Sequence, residues 1–380
     1  MSRTFFYHLL FLLSVSMLNF ECGIAQESNI KVLDFEKQSE GVQFVTVDRE
    51  DGVYLGHPTT CLLEDGKTML CVYPKGHGRG AIVYKRSEDA GKTWSQRIET
   101  PKNWSTSKET PTLHRVVDAE GKKRIIMFSG LYPIRLAVSE DDGKNWSELK
   151  QVGDFGGIVA MSSVFKVSDR AGQYMAMFHD DGRFAVEGGK RKQPVEFTLF
   201  KSLSNDGGLT WSGPETILKG SEMHLCEPGV VRSPDGKRLA CLLRENSRRH
   251  PSQVIFSKDE GKTWTDPKDL PKWLWGDRHV GQYLKDGRLF ISFRCNWPKG
   301  HRHDFQGDWV AWVGSFNDLL NGRDGDLFIR IQDNTKGADC AYPGVEALPD
   351  GTIVTTTYGH WEKGESPFIL SARVDGRALK

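Results

Sequence analysis

The stretch "KRSEDAGKTW" (residues 85–94) occurs in four versions along this chain. The other three are "AVSEDDGKNW" (137–146), "SLSNDGGLTW" (202–211) and "IFSKDEGKTW" (255–264). All four share the pattern Ser-x-Asp-x-Gly-x-x-Trp, and we call them the acidic turns. A self-similar stretch that returns at such intervals is typical of repeat architectures, in which each copy belongs to one supersecondary unit.

The residues of the acidic turns are those that a tight turn needs. The aspartate can accept hydrogen bonds from backbone N–H groups of its own turn. The glycine two residues later supplies a positive φ, and the tryptophan packs its ring beside the sheet. One active site does not need the same carboxylate four times, so we interpret these aspartates as structural: Asp89, Asp141, Asp206 and Asp259.

A second unit recurs between the acidic turns and consists of an apolar run, a polar glycine turn and another apolar run. Its six copies lie at residues 59–73, 112–130, 162–179, 229–245, 281–294 and 344–359. Each copy predicts a β-hairpin. Four hairpins are followed by a strand that leads into an acidic turn, the fifth by "DWVAWVGSF" (308–316) and the sixth by "PFILSARV" (367–374). The sequence therefore predicts an all-β fold, a six-bladed β-propeller of four-stranded antiparallel blades.

The composition limits the cellular context and the partners. Arg3, the apolar run 9–18 and the small residues 23–25 indicate a signal peptide over residues 1–25, followed by one propeller domain over 26–380. We therefore expect export to the periplasm or secretion, without a membrane span. The 51 basic and 50 acidic residues are balanced, which argues against a nucleic-acid partner. Oligomeric state is not readable from the sequence.

Six cysteines follow the predicted signal peptide, each in or beside an apolar strand. They are Cys61, Cys71, Cys226, Cys241, Cys295 and Cys340. We expect buried thiols, with one or two cross-strand disulfides as the alternative in an exported protein.

The strand order of a blade predicts where functional side chains lie. In an up-and-down meander the acidic turns share one face with the hairpin turns, so the connections before each first strand and after each second strand share the other. Before first strands stand His57, Glu109, Glu227, Asp277, Arg278, His279 and Tyr342. After second strands stand His77, Arg79, Arg135, His179, Asp180, Arg244, Arg294, Arg302 and His360. The guanidinium group of arginine can form two parallel hydrogen bonds with a carboxylate, so this set favours an anionic glycan as the ligand. It requires no metal or cofactor.

In its acidic turns and six hairpins the sequence resembles the sialidase superfamily, whose members carry such turns, known as Asp boxes, on a six-bladed propeller. Sialidases use a tyrosine nucleophile assisted by a glutamate, three arginines that clamp the substrate carboxylate, and an aspartate acid. The resemblance implies Tyr342 as the nucleophile, Glu227 as its partner and Arg244 as one clamp arginine. A phenol with a pKa near 10 needs such a carboxylate to take its proton, and a neutral nucleophile is not repelled by an anionic sugar.

Two positions depart from the sialidase pattern. The place of the first clamp arginine reads "GHPTT" (56–60) with His57, and the place of the aspartate acid reads "KGHGRGA" (75–81) with His77 and Arg79. Because the pKa of histidine suits proton transfer at neutral pH, we expect His57 or His77 to replace the acid. The remaining clamp arginine is Arg294 or Arg302, and Arg278 and Arg79 are further candidates for substrate binding.

The sequence thus predicts an exported, sialidase-like exo-glycosidase that removes a terminal acidic sugar. Two alternatives remain open: a uronate-directed lyase or hydrolase on the same fold, and a non-catalytic carbohydrate-binding propeller.

Overall fold

The computed structural model of the protein describes residues 30–167 and 170–380, so the predicted signal peptide lies outside the described residues. Within these ranges the chain forms 24 strands, three short 3-10 turns and one helix, α1 (Phe316–Asn321). No helix in this part of the chain is long and apolar enough to cross a membrane. The all-β prediction is confirmed.

The strands form six sheets in chain order, and we call these sheets blades I to VI. The two strands that precede blade I are β1 (Lys31–Asp34) and β2 (Val42–Asp48). Blade I contains β3 (Thr59–Leu62), β4 (Met69–Pro74) and β5 (Ile82–Ser87). Blade II contains β6 (Thr112–Val117), β7 (Lys123–Ser129), β8 (Arg135–Ser139) and β9 (Lys150–Gln151). Blade III contains β10 (Ile158–Lys166), β11 (Tyr174–Asp180), β12 (Phe197–Ser204) and β13 (Glu215–Gly220).

The second half of the ring follows the same order from the axis outward. Blade IV contains β14 (Leu225–Arg232), β15 (Leu239–Glu245), β16 (Gln253–Ser257) and β17 (Lys268–Asp269). Blade V contains β18 (Gly276–Tyr283), β19 (Leu289–Cys295), β20 (Trp309–Gly314) and β21 (Leu327–Gln332). Blade VI contains β22 (Gly344–Ala347), β23 (Ile353–Gly359) and β24 (Phe368–Val374). The six-bladed propeller predicted from the sequence is confirmed.

The N-terminal strands close the ring, which the hairpin pattern did not predict. Strand β2 pairs antiparallel with β24 and becomes the outermost strand of blade VI. Strand β1 pairs parallel with β21 and adds a fifth strand to blade V. In blade I the outermost position holds an isolated bridge between Tyr84 and Ile98 instead of a full strand.

The four acidic turns have one shared geometry, which confirms their structural interpretation. In the turn of Asp206, the carboxylate accepts hydrogen bonds from the Ser204 hydroxyl at 2.8 Å and from the Thr210 N–H at 3.0 Å. The same two kinds of bond recur in the turns of Asp89, Asp141 and Asp259. The glycine of every acidic turn has a φ between 76° and 85°.

The hydrophobic core lies between neighbouring blades, where fully buried aromatic rings such as Trp309, Trp312 and Phe328 pack. All six cysteines after residue 30 are free and buried, so the thiol prediction is confirmed over the disulfide alternative. The six innermost strands surround an axial cavity of about 370 Å³.

Candidate functional site

Four residues near the starts of innermost strands have an unusual backbone conformation. His57 and Ala341 precede β3 and β22, whereas Glu227 and Arg278 are the third residues of β14 and β18. The φ angles of all four lie between 53° and 55°. The strand pairing shifts by β-bulges beside two of them, at residues 226–229 and 277–280. Bulges and left-handed non-glycine residues re-aim side chains and concentrate at functional sites. In this protein these residues lie at the end of the blades that is opposite the acidic turns, and we call that end the mouth.

Three predicted residues from two blades meet at the mouth. The Tyr342 O–H donates a hydrogen bond to Oε1 of Glu227. Arg244 Nη1 donates to the same oxygen at 2.7 Å and to the Tyr342 oxygen at 3.2 Å. Glu227 and Tyr342 are only 3% and 8% exposed, so the group is nearly shielded from water.

The charges around this pair fix its resting protonation. Burial, together with the nearby Glu227 carboxylate, raises the pKa of Tyr342 above its ordinary value. Burial alone would raise the pKa of Glu227 as well, but the adjacent Arg244 guanidinium holds it below the ordinary value. The phenol is therefore protonated and the glutamate ionised at rest. Arg294, whose guanidinium carbon lies 5.7 Å from the ring centre of Tyr342, adds positive charge that favours a developing phenolate.

A second carboxylate, Asp277, lies among the arginines. Arg294 Nε and Nη2 donate to its Oδ2 at 2.8 and 2.5 Å. Arg248 contributes Nη1 at 2.6 Å from Oδ1 and Nη2 at 2.7 Å from Oδ2, and Arg244 Nε lies 3.3 Å from Oδ1. We call Arg244, Arg248 and Arg294 the arginine cluster. Burial of Asp277 is complete and would raise its pKa, but these three charges hold it well below the ordinary value.

Arg278 lies between the mouth and the axial cavity, which it helps to line. Its Nη2 donates to the Ser162 carbonyl at 3.3 Å, and the side chain is buried. Nη1 has no hydrogen-bond partner within the described residues. Burial lowers the pKa of this guanidinium, while the negative charge of Glu227 opposes that shift.

A network around Asp339 forms the wall of the mouth on the side of blades I and VI. The Tyr54 and Tyr358 hydroxyls donate to its Oδ1 at 2.7 and 3.2 Å, and His360 Nε2 lies 3.0 Å from Oδ2. His77 Nδ1 is 2.7 Å from the Tyr54 oxygen and 3.4 Å from Oδ1 of Asp339. Burial would raise the pKa of Asp339, but hydrogen bonds with His77, Tyr54 and His360 lower it below the ordinary value.

The two histidines proposed as the acid have different surroundings. The His57 ring is buried between His77 and Tyr342, with ring centres 4.7 and 4.5 Å away. His57 Nδ1 accepts the Gly78 N–H at 3.1 Å, and burial lowers its pKa well below the ordinary value. His77 has a side chain that is 67% exposed. His57 is thus a neutral wall residue, and His77 is the histidine that has access to a ligand.

The other predicted arginines lie outside the buried centre. Arg79 is exposed in the loop after β4, and Arg302 is exposed in the loop after β19, where it shares a surface pocket with Arg248 and Trp297. The structure therefore brings Arg244, Arg278 and Arg294 to the centre of the mouth and leaves Arg79 and Arg302 on its surface loops.

Glu109 is a buried carboxyl in blade II, beside the loop that carries His77. Its Oε1 accepts the Thr110 N–H at 2.9 Å, and burial raises its pKa above the ordinary value. The sequence placed Glu109 at the mouth without a role, and Arg248 was not among the predicted residues.

Comparisons with known proteins agree with the propeller fold. Residues 134–304 match the family model of the BNR repeat-like domain. A sialidase of Clostridium perfringens is 25% identical over 322 residues, which cover 77% of this chain and 70% of that protein. These findings and the six-bladed fold fit a divergent member of the sialidase superfamily, as the sequence predicted.

Solved structures share the fold at low sequence identity. A protein of unknown function from Dyadobacter fermentans superposes with a TM-score of 0.67 at 16% identity, covering 88% of this chain and 99% of that one. An α-L-arabinofuranosidase from Fusarium graminearum gives 0.60 at 13% identity, with 89% and 99% covered. The intramolecular trans-sialidase of Ruminococcus gnavus gives 0.58 at 14% identity, with 86% and 95% covered. The fold is therefore one that glycosidases with different sugars share.

Proposed function

We propose that the protein is an exo-acting glycoside hydrolase that removes a terminal sugar from a glycan at the mouth of the propeller. The observation that carries this proposal is the buried contact of Tyr342 with Glu227, in which Arg244 donates to both oxygens. The sialidase of Clostridium perfringens supports the assignment to glycan chemistry. The proposal includes export by the predicted signal peptide.

In the first step, the Tyr342 oxygen attacks the anomeric carbon while the glycosidic C–O bond breaks. The phenol proton passes to Glu227 Oε1, with which it already shares a hydrogen bond. Arg244 and Arg294 stabilise negative charge on the tyrosine oxygen during this transfer. A protonated His77 gives its proton to the leaving oxygen of the glycan. The product is a sugar bound covalently to Tyr342.

In the second step, water attacks the anomeric carbon and gives a proton to His77. The bond between sugar and Tyr342 breaks, and the phenolate regains its proton from Glu227. The Tyr54 hydroxyl donates to Asp339, so the oxygen of Tyr54 is free to accept the N–H at Nδ1 of His77. This arrangement leaves Nε2 as the nitrogen that exchanges the proton. Asp339 thus orients His77 and balances its positive charge.

The test is hydrolysis of a panel of 4-methylumbelliferyl glycosides by the wild-type protein and by Tyr342→Phe. We expect the variant to bind the same sugar but to lose about 10³-fold or more in kcat, because the attacking oxygen is missing. Equal hydrolysis by both proteins would contradict the role of Tyr342. Sugar binding without hydrolysis by the wild type would favour the carbohydrate-binding alternative.

A further inference from the structure

The arginine cluster already holds a carboxylate of the protein, Asp277. Two of its members, Arg244 and Arg294, are the ones that the resemblance offered as clamps for a substrate carboxylate. Recognition of a carboxylate by arginine depends on two parallel N–H groups along one edge of the guanidinium. The Nε–Nη2 edge of Arg294 and the Nη1–Nη2 edge of Arg248 both face Asp277. The remaining Nη1 of Arg294 donates to the Cys340 carbonyl at 3.1 Å.

Arg244 is held by the protein on one side. Its Nη1 donates to Glu227 and Tyr342, whereas its Nε lies 3.3 Å from Oδ1 of Asp277 as an ion pair without a hydrogen bond. Asp277 is completely buried, and Asn296 Nδ2 donates to it at 3.0 Å in addition to the arginines. A substrate carboxylate would have to displace Asp277 or enter as a third carboxylate beside Asp277 and Glu227. Like charges at such distances disfavour each other strongly.

We propose, resting on the function proposed above, that Asp277 takes the place of a substrate carboxylate, so that the sugar bound in the mouth carries no carboxylate. This replaces the acidic sugar expected from the sequence. The groups left for a ligand are suited to hydroxyls: Nε of Arg244, Nη1 of Arg278, Oε2 of Glu227 and the exposed ring of His77. Each is a single donor or acceptor that matches a hydroxyl or a ring oxygen.

The first test compares matched neutral and acidic substrates on the wild-type protein. 4-Methylumbelliferyl galactosides and arabinofuranosides are assayed beside the galacturonide, the glucuronide and the N-acetylneuraminide. We expect at least one neutral glycoside to exceed every acidic probe by about tenfold or more in kcat/KM. Preference for the N-acetylneuraminide or a uronide, with activity lost in Tyr342→Phe, would overturn this inference and leave the proposed function intact. No product from any probe would contradict both.

The second test asks directly whether the arginine cluster is filled. Formate is a small carboxylate that can enter the space left in Asp277→Ala. We expect formate to raise the Tm of this variant by about 2–4 °C, by mass action on a site that the folded state alone offers, and to leave the wild type unchanged. Asp206→Ala, which removes a carboxylate from an acidic turn, is the matched control and should not respond.

If Asp277→Ala does not fold, the inference can still be tested on the wild-type protein. Titration of the wild type with N-acetylneuraminic acid should leave its Tm unchanged. A saturable rise in the Tm of the wild type with this acid or with formate would show that the arginine cluster accepts an external carboxylate, and the inference would fall.

Discussion

The two ends of the blades use carboxylates in opposite ways. At the end of the acidic turns, four aspartates repeat one set of hydrogen bonds, and all partners lie within four residues in the chain. At the mouth, Glu227, Asp277 and Asp339 each have their own set of partners, some of them from other blades. A carboxylate that recurs in every acidic turn with the same local partners has a structural role. A carboxylate that occurs once, with partners from distant parts of the chain, is available for chemistry.

The surroundings of the two kinds of carboxylate differ in the same sense. The acidic-turn aspartates lie near solvent and are satisfied by local N–H and hydroxyl groups. The mouth carboxylates are enclosed with arginine, tyrosine and histidine, so that their charge acts on neighbouring ionisable groups. Substitutions at the two ends should therefore affect different measured properties.

The largest expected effect comes from exchanging a carboxylate for an amide at the mouth. Glu227→Gln keeps an acceptor for Tyr342 and Arg244 but removes the group that takes the phenol proton, so kcat should fall by about 10²–10⁴-fold. Asp206→Asn is the matched change at the other end and should leave kcat within about twofold. Steady-state kinetics on the best substrate of the panel measures both. A similar loss of kcat in the two variants would contradict the distinction between carboxylates at the mouth and those in the acidic turns.

The next largest effect is expected at the proton donor. His77→Gln should lower kcat by about 10²-fold for a glycoside with a poor leaving group. The loss should be far smaller for a 2,4-dinitrophenyl glycoside, because that leaving group departs without a proton. His250→Gln, at an exposed histidine after β15, is the control. Equal losses on both substrates would show that His77 positions the site rather than donating the proton.

A smaller effect, on stability alone, is expected at an acidic turn. Asp206→Ala removes hydrogen bonds from Ser204, Leu209 and Thr210, and should lower the free energy of unfolding by about 1–3 kcal/mol. Its kcat and KM should be unchanged well below the Tm. Urea denaturation and kinetics on the same preparation measure the two properties. An altered KM would mean that the two ends are coupled.

The smallest effect concerns pH. Burial would raise the pKa of Asp206, but hydrogen bonds from Thr210 and Ser204 lower it below its ordinary value in the folded protein. The unfolded chain therefore binds this proton more readily, and the stabilisation is present above the unfolded pKa and lost as pH falls through the folded one. The pKa shift of Glu109 has the opposite sign. Burial raises the pKa of this carboxyl, so its protonation favours the folded state.

Denaturation curves at pH 5.5 and 3.5 test these signs. Asp206→Asn should lose less stability than the wild type between the two pH values, and Glu109→Gln should lose more. The reverse order for either variant would contradict the stated direction of its pKa shift.

Much of the fold was predictable because it repeats. Six hairpins and four acidic turns occupy regular positions, and the alternation of strands then assigns every connection to one face. Tyr342, Glu227 and Arg244 were found by this rule together with the family resemblance. The closing strand β2 was not found, since it stands alone, far in sequence from its partner β24.

The details of the site could not be predicted, because they depend on contacts between distant blades. The string "GDRH" (276–279) shows an acid beside an arginine, but only the fold reveals that Asp277 faces Arg244, Arg248 and Arg294 while Arg278 turns to the axis. The left-handed conformation of Glu227 and Arg278 leaves no mark in the sequence, since neither residue is a glycine. The choice between His57 and His77 likewise required their burial.

The pairing of β2 with β24 has a consequence for how this protein is made. The two strands lie far apart in the described chain, so the ring cannot be completed until β24 has been made and has met β2. Until then blade VI presents a bare sheet edge, and such an edge invites pairing with another molecule. Contacts of this long range also slow folding. This seam is thus a part of the ring at which an incompletely folded chain can pair with another molecule.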